Sequence, residues 1–159
     1  MILNCKYGLI LIVLGVSVLM SSSVASAAPP TDACSLLTGA QVSAVLGGPV
    51  ATFTPDPKKL CIWSPGGKPG PKTVTVTFWE PTAFPSPKTA LLPGAVLIPV
   101  SGLGDQAVYT GVQNAGESGA FKLFVKKSGT VFSITVSGFP VDQTKEKEKT
   151  LALDALAKL

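Results

Sequence analysis

Histidine and arginine are both missing from this chain of 159 residues. Without imidazole, Ser/His/Asp and Cys/His nucleophile arrangements are excluded, and so are zinc sites built on imidazole. The usual proton-transfer group near neutral pH is absent with it. Without guanidinium, the bidentate contacts that dominate phosphate and base-edge recognition cannot be made. Charge is sparse, at 14% of residues, and its cations are thirteen lysines spread along the sequence. Scattered lysines do not make a nucleic-acid patch, so the mild positive balance reads as solubility.

Cysteine is scarce as well. Of Cys5, Cys34 and Cys61, the first lies in an N-terminal segment with the order of a secretory signal. Met1–Lys6 is a short n-region, Tyr7–Met20 an apolar run, and Ser21–Ala27 a small polar stretch closing on Ala25-Ser26-Ala27. This order predicts a signal peptide over residues 1–27 and a single domain over 28–159. The alternative is retention as an anchor, because Tyr7–Pro30 is uncharged and a span needs about 20 apolar residues. The serine cluster favours cleavage. A lipidated start fits poorly, since Thr31-Asp32-Ala33 before Cys34 lacks the small apolar approach of such sites.

Removal of residues 1–27 takes away Lys6 and leaves twelve lysines against nine acids, a net charge of +3. A chain of that length suits one core. It keeps two cysteines, Cys34 and Cys61. In an oxidising compartment an even count reads first as a disulfide. The alternative, a redox or metal pair, lacks both a Cys-x-x-Cys motif and a histidine partner.

Periodicity then gives the elements. Asp32–Gly48 reads as helix, with Thr38-Gly39-Ala40-Gln41 as a capping box and Gly47-Gly48-Pro49 as its end. Leu36 and Leu37 read as a preceding turn on the same core. Leu60–Ser64 reads as a short strand carrying Cys61 and Trp63. Pro65–Pro71 is a proline- and glycine-rich connection that lacks the Gly-Lys-Ser/Thr ending of a phosphate loop. Thr73–Glu80 alternates, with Val74, Val76 and Phe78 on one side and the threonines on the other. Pro81–Pro93 has room for a helical turn around Lys88–Leu92. Ala95–Val100 is an apolar strand that Pro99 places at an edge, and Gln106–Thr110 is another.

The strongest signal is the pair Phe121–Lys127 and Thr130–Val136 around Ser128-Gly129. A two-residue turn sets Lys127 opposite Thr130, hence Val125 opposite Phe132, Leu123 opposite Ile134 and Phe121 opposite Val136. On the other face Lys126 meets Val131, Phe124 meets Ser133 and Lys122 meets Thr135. Pro140 ends the strand, and Asp142 is placed to cap a final helix to Leu159. Leu151, Ala152, Leu153, Ala155, Leu156 and Leu159 form its apolar side, with Lys147, Asp154 and Lys158 opposite. Lys145–Lys149 reads as a solvated first turn and not a binding patch. The expected fold is α+β in two layers, an antiparallel sheet with an N-terminal and a C-terminal helix packed on one face.

Asp32-Ala33-Cys34-Ser35-Leu36-Leu37-Thr38, then Gln41-Val42, Leu46-Gly47 and Cys61-x-Trp63, resemble a family of small secreted bacterial domains. That family is best known from actinobacterial lipoproteins and is a domain of unknown function. Gly102-Leu103-Gly104-Asp105-Gln106-Ala107, the strand–Gly–strand hairpin and the closing Ala155-Leu156-Ala157-Lys158-Leu159 also fit. The resemblance implies a Cys34–Cys61 bond and an extracytoplasmic life, periplasmic or extracellular. It implies no reaction. The lack of a lipidation cysteine is a departure from the family.

The functional expectation is therefore a non-catalytic binding or interaction module, with no cofactor, no metal and no catalytic residues. Its partner would be a protein, a glycan or a small apolar ligand, with no nucleic acid and no membrane once the signal is cleaved. Trp63, beside Cys61, reads as core. Trp79 falls on the threonine side of its strand; either Pro81–Pro93 covers it or it anchors a contact. The alternative function is a hydrolase using carboxylates, Glu80 with Asp105 for example, or a Ser/Lys pair.

Overall fold

The computed structural model describes residues 30–68, 70–86, 94–112 and 121–159. The expected signal segment over residues 1–27 and the expected helical turn around Lys88–Leu92 lie outside the described residues. Those described form a mixed α+β fold of seven antiparallel strands and two helices. The strands are β1 (Ala51–Phe53), β2 (Leu60–Ser64), β3 (Thr73–Trp79), β4 (Ala95–Pro99), β5 (Gln106–Val112), β6 (Lys122–Lys127) and β7 (Thr130–Ser137). The helices are α1 (Gly39–Leu46) and α2 (Val141–Leu156). Sheet order is β1-β2-β3-β7-β6-β5-β4. The long β3–β7 pairing joins an early hairpin to a late one.

Local chemistry sets the ends of α1. The Thr38 hydroxyl accepts the Gln41 N–H at 3.2 Å, and the Thr38 N–H donates to Gln41 Oε1 at 2.8 Å. Both arms of the capping box are present. Gly47, at φ +82°, closes the helix by donating to the Ser43 carbonyl. The helix is shorter than the expected span from Asp32. Thr38 is extended, which a cap requires, so Ala33–Ser35 forms a separate 3-10 turn whose Ser35 N–H is taken by Asp32 Oδ1 at 2.7 Å. Leu36 and Leu37 are buried as expected.

The β6–β7 hairpin has the expected turn, with Ser128 at φ +48° and Gly129 at φ +86°. Positive φ at both positions is the twist a two-residue hairpin needs. The register Lys127–Thr130, Lys126–Val131, Val125–Phe132, Phe124–Ser133 and Leu123–Ile134 is also as expected. The ladder stops there. The expected pairs Lys122–Thr135 and Phe121–Val136 do not form, because the Val136 N–H donates to Glu148 Oε1 at 2.9 Å. A helix side chain has replaced a strand as the partner.

Pro99 does sit on an edge strand, β4. The opposite edge, β1, has no counterpart in the sequence reading. Its three residues are all exposed, so no alternation betrays them. Gly104, at φ +57°, lets the chain pass against β6, since a Cβ there would stand 2.5 Å from the Lys126 carbonyl oxygen. We expect Gly104→Ala to lower stability by about 1 to 3 kcal/mol, because neither the backbone angle nor that carbonyl leaves room for a methyl. Chemical denaturation of the variant measures it, and an unchanged midpoint would contradict the close approach.

The main core joins Cys61, Trp63, Val74, Val76, Leu123 and Ile134 of the sheet to Val42 and Leu46 of α1 and to Leu151, Ala152 and Ala155 of α2. A second, smaller cluster of Val108, Phe124 and Val131 lies on the residues of opposite parity, with Phe84 and Leu97 partly buried against it.

Helix α2 departs from expectation in three respects. Pro140, not Asp142, stands at the N-cap, and Asp142 sits in the first turn, where its charge favours the helix dipole. Leu153 is exposed at 56%, outside the apolar stripe. The stretch Lys145–Lys149 is solvated only in part, because Glu148 within it is buried while Glu146 is exposed. The buried stripe runs Thr144, Glu148, Leu151, Ala152, Ala155, and its first two members are polar. Lys147 Nζ donates to the Val45 carbonyl at 2.7 Å, and Lys158 Nζ to the Ser35 carbonyl at 2.9 Å. Both lysines tie α2 to the N-terminal elements instead of facing away from them.

Candidate binding surface on the Trp79 face

Strand alternation places Trp79 with Thr73, Thr75 and Thr77, opposite in phase to Val74 and Val76. In the β3–β7 register Trp79 lies across from Val131 and Thr77 across from Ser133. In β6 and β5 the same face carries Phe124, opposite Ser133, and Val108, opposite Phe124. Aromatic and aliphatic groups therefore meet across four strands, with hydroxyls beside them.

The Trp79 ring is held in place. Its indole N–H donates to Ser133 Oγ at 2.8 Å, a diagonal contact between adjacent strands. Ser133 is itself buried, so this bond satisfies a polar group that water does not reach. The ring centroid lies 5.5 Å from that of Phe124 with planes at 44°, within the range of favourable aromatic pairs. The Lys122 ammonium stands 5.4 Å from the Trp79 ring and 5.8 Å from the Phe124 ring. Even so, Trp79 remains 37% exposed, whereas Trp63 is 2% exposed in the main core. The expected core role of Trp63 holds. For Trp79, neither full cover nor full exposure applies: the N–H is engaged, Phe124 and Lys122 lie against the ring, and just over a third of the residue stays exposed.

Cys34 and Cys61 are bonded, with Cα atoms 5.0 Å apart. The bond joins the 3-10 turn, not α1, to β2. The Thr54 hydroxyl lies 3.5 and 3.6 Å from the two sulfurs. Of the two carboxylates considered for hydrolysis, Asp105 is committed to the hairpin turn. Its Oδ2 accepts the Ser128 N–H at 2.7 Å and its Oδ1 lies 3.7 Å from Lys127 Nζ. Glu80 is exposed and precedes the 3-10 turn Pro81–Ala83. Ser86 is described, but Pro87 and Lys88 lie outside the described residues. Among the described residues no three Cys, Asp or Glu side chains gather as a metal would need.

The buried acid is one that sequence reasoning passed over. Glu148 has no exposed surface; its Oε1 takes the Val136 N–H, and Oε2 has no hydrogen-bond partner. Burial pushes its carboxyl up to about 8, against the smaller opposing pulls of the Val136 N–H and the Lys145 charge. Tyr109 is nearby and donates to the Lys145 carbonyl at 2.6 Å. Burial, and then the charges of Glu148 and Glu146, raise its phenol well above the ordinary range. The available signal was the helical spacing from Thr144 through Glu148 to the apolar stripe. A raised carboxyl often marks a catalytic acid. Here it is sealed in and bonded to a strand backbone, which makes it a strut.

No family model, curated protein or solved structure matches the chain.

Proposed function

We propose that the chain is a non-catalytic binding module of the cell exterior or envelope, whose contact surface is the Trp79 face. This reading takes the fold as two layers, with both helices over the side of Val74, Val76 and Ile134, so that the exposed part of Trp79, beside the cluster that Phe84 and Leu97 partly cover, is left for a partner. It also takes residues 1–27 as a cleaved signal and extends the likeness to small actinobacterial envelope domains to this chain's location. The disulfide is compatible with an oxidising compartment. No described helix is long and apolar enough to cross a membrane.

One observation carries the reading: Trp79 is a large ring, pinned by Ser133 and Phe124, with over a third of its surface open. A ring held in one orientation loses little freedom when a partner lands on it, so more of the contact energy appears as affinity. The neighbouring threonines and Lys122 supply polar contacts at the margin of an apolar centre, the usual layout of a recognition surface. The partner class is a protein, a glycan or a small apolar ligand presenting a flat apolar face.

Three measurements test this. Trp63→Ala should cost about 3 to 5 kcal/mol, as truncation of a fully buried aromatic does. Trp79→Ala should cost clearly less, yet abolish recovery of the partner when the tagged domain is used as bait on envelope and medium fractions. Equal, large stability losses, or equal recovery by wild type and Trp79→Ala, would remove Trp79 as an anchor. Intact-mass measurement of the exported protein should give a chain beginning near Ala28. A full-length membrane-bound product would instead make the first segment an anchor.

A further inference from the structure

The alternation that sends Val108 to the Trp79 face sends Tyr109 to the other. There a cleft of about 290 Å³ lies among three elements: Ile98 to Ser101 at the end of β4, Tyr109 of β5, and Lys145 with Lys149 on α2. The two lysines are one helical turn apart, and no carboxylate lines the cleft. Their charges are available. Lys149 meets Glu146 Oε1 only at 3.8 Å and with both side chains well exposed, a contact of the kind that contributes little. Lys145 lies 4.1 Å from the Phe121 ring centroid and 5.8 Å from that of Tyr109. These are contacts of the ammonium with ring faces, which leave its charge unneutralised.

The other wall is aliphatic. Pro99 and Val100 contribute to it, and Ile98 is 40% exposed there. Ser101 is also part of the lining. The Tyr109 oxygen spends its proton on the Lys145 carbonyl, which leaves its lone pairs to accept. A lining that combines two lysines, an aliphatic stretch and two hydroxyl-bearing residues, with no carboxylate, complements one kind of ligand. We propose that this cleft binds a small free carboxylate with an aliphatic body, its carboxylate between Lys145 and Lys149 and its chain on Ile98–Val100. The volume suits a body of about ten heavy atoms, near the lower end of ligand pockets. Lysines act as point charges and lack the fork that reads phosphate in two places, so a monoanion fits better than a phosphoryl group. The site is separate from the Trp79 surface and does not depend on its role.

Octanoate is a direct probe. In a titration followed by backbone amide resonances, octanoate should move signals of Ile98, Val100, Ser101 and residues 145–149 saturably, and added salt should weaken it. Octanamide and inorganic phosphate should each bind at least tenfold more weakly. Lys149→Gln should lower octanoate affinity several-fold, and the Lys145→Gln/Lys149→Gln pair should abolish it. Lys149→Gln alters only a half-exposed side chain, so the test survives even where the double variant unfolds. Equal binding of octanamide, preference for phosphate, shifts confined to other residues, or full affinity in Lys149→Gln would each overturn the assignment.

Discussion

Raising the pH from about 4.5 to about 8 should destabilise this fold by roughly 4 kcal/mol through Glu148 alone. The folded state holds the Glu148 proton up to about pH 8, whereas the ordinary carboxyl value is 4.5. Between those values the folded chain binds one more proton than the unfolded chain, so stability falls as pH rises. The contribution is fully present below the unfolded value and is lost as pH passes through the folded one. The groups facing the carboxyl act in opposite senses: the Lys145 charge and the Val136 N–H favour ionisation, and burial outweighs both. Urea denaturation across this range should show the slope in the wild type. Glu148→Gln keeps an acceptor for Val136 and removes the titration, so its slope should vanish and its stability at pH 8 should exceed that of wild type. Glu148→Leu strands the Val136 N–H and should fall below Gln by about 1 to 3 kcal/mol. A wild type as stable at pH 8 as at pH 5, with no difference from Glu148→Gln, would refute the buried, protonated acid.

The second large effect belongs to the Cys34–Cys61 bond. It closes a loop with a sequence separation of 27 residues, which in the chain-entropy treatment restricts the unfolded state by about 3.5 kcal/mol. The double variant Cys34→Ala/Cys61→Ala should lose about that much, with a further loss because Cys61 is fully buried among Trp63, Val76 and their neighbours. Non-reducing mass spectrometry of the wild type should give a chain two hydrogens lighter than the reduced form. Free alkylation of both thiols in the native protein, or a double variant of unchanged stability, would show that the bond does not form. Because the bond ties the 3-10 turn to β2, its loss should loosen residues 32–38 first, and hydrogen exchange can follow that.

Both effects arise from contacts between residues far apart in the chain, but they differ in how far the sequence discloses them. The disulfide was legible because only two cysteines, Cys34 and Cys61, lie beyond residues 1–27. The buried acid was not, because a glutamate in a run of lysines looks like a solvated helix turn. Its helical phase, four residues after Thr144 and three before Leu151, was the one local clue. The same run misled the reading of Lys147 and Lys158, whose acceptors are carbonyls of α1 and of the turn before it.

What the sequence determined by itself is what short-range physics controls. The capping box at Thr38, the left-handed stop at Gly47, the Ser128-Gly129 turn with five correct cross-strand pairs, and the edge position of the Pro99 strand all rest on a few adjacent residues. Each has one good solution for its backbone hydrogen bonds and side-chain parity. Tertiary structure decided the rest, because the partners come from distant segments. Setting β3 beside β7 gave the Trp79 indole its acceptor, Ser133, and its ring neighbour, Phe124. Placing α2 where the β6–β7 ladder opens turned Glu148 from a surface charge into a buried partner for Val136. Bringing the end of β4 to α2 made the lysine-walled cleft. No period or turn encodes these meetings; they follow from how the apolar faces of the strands and helices are satisfied together.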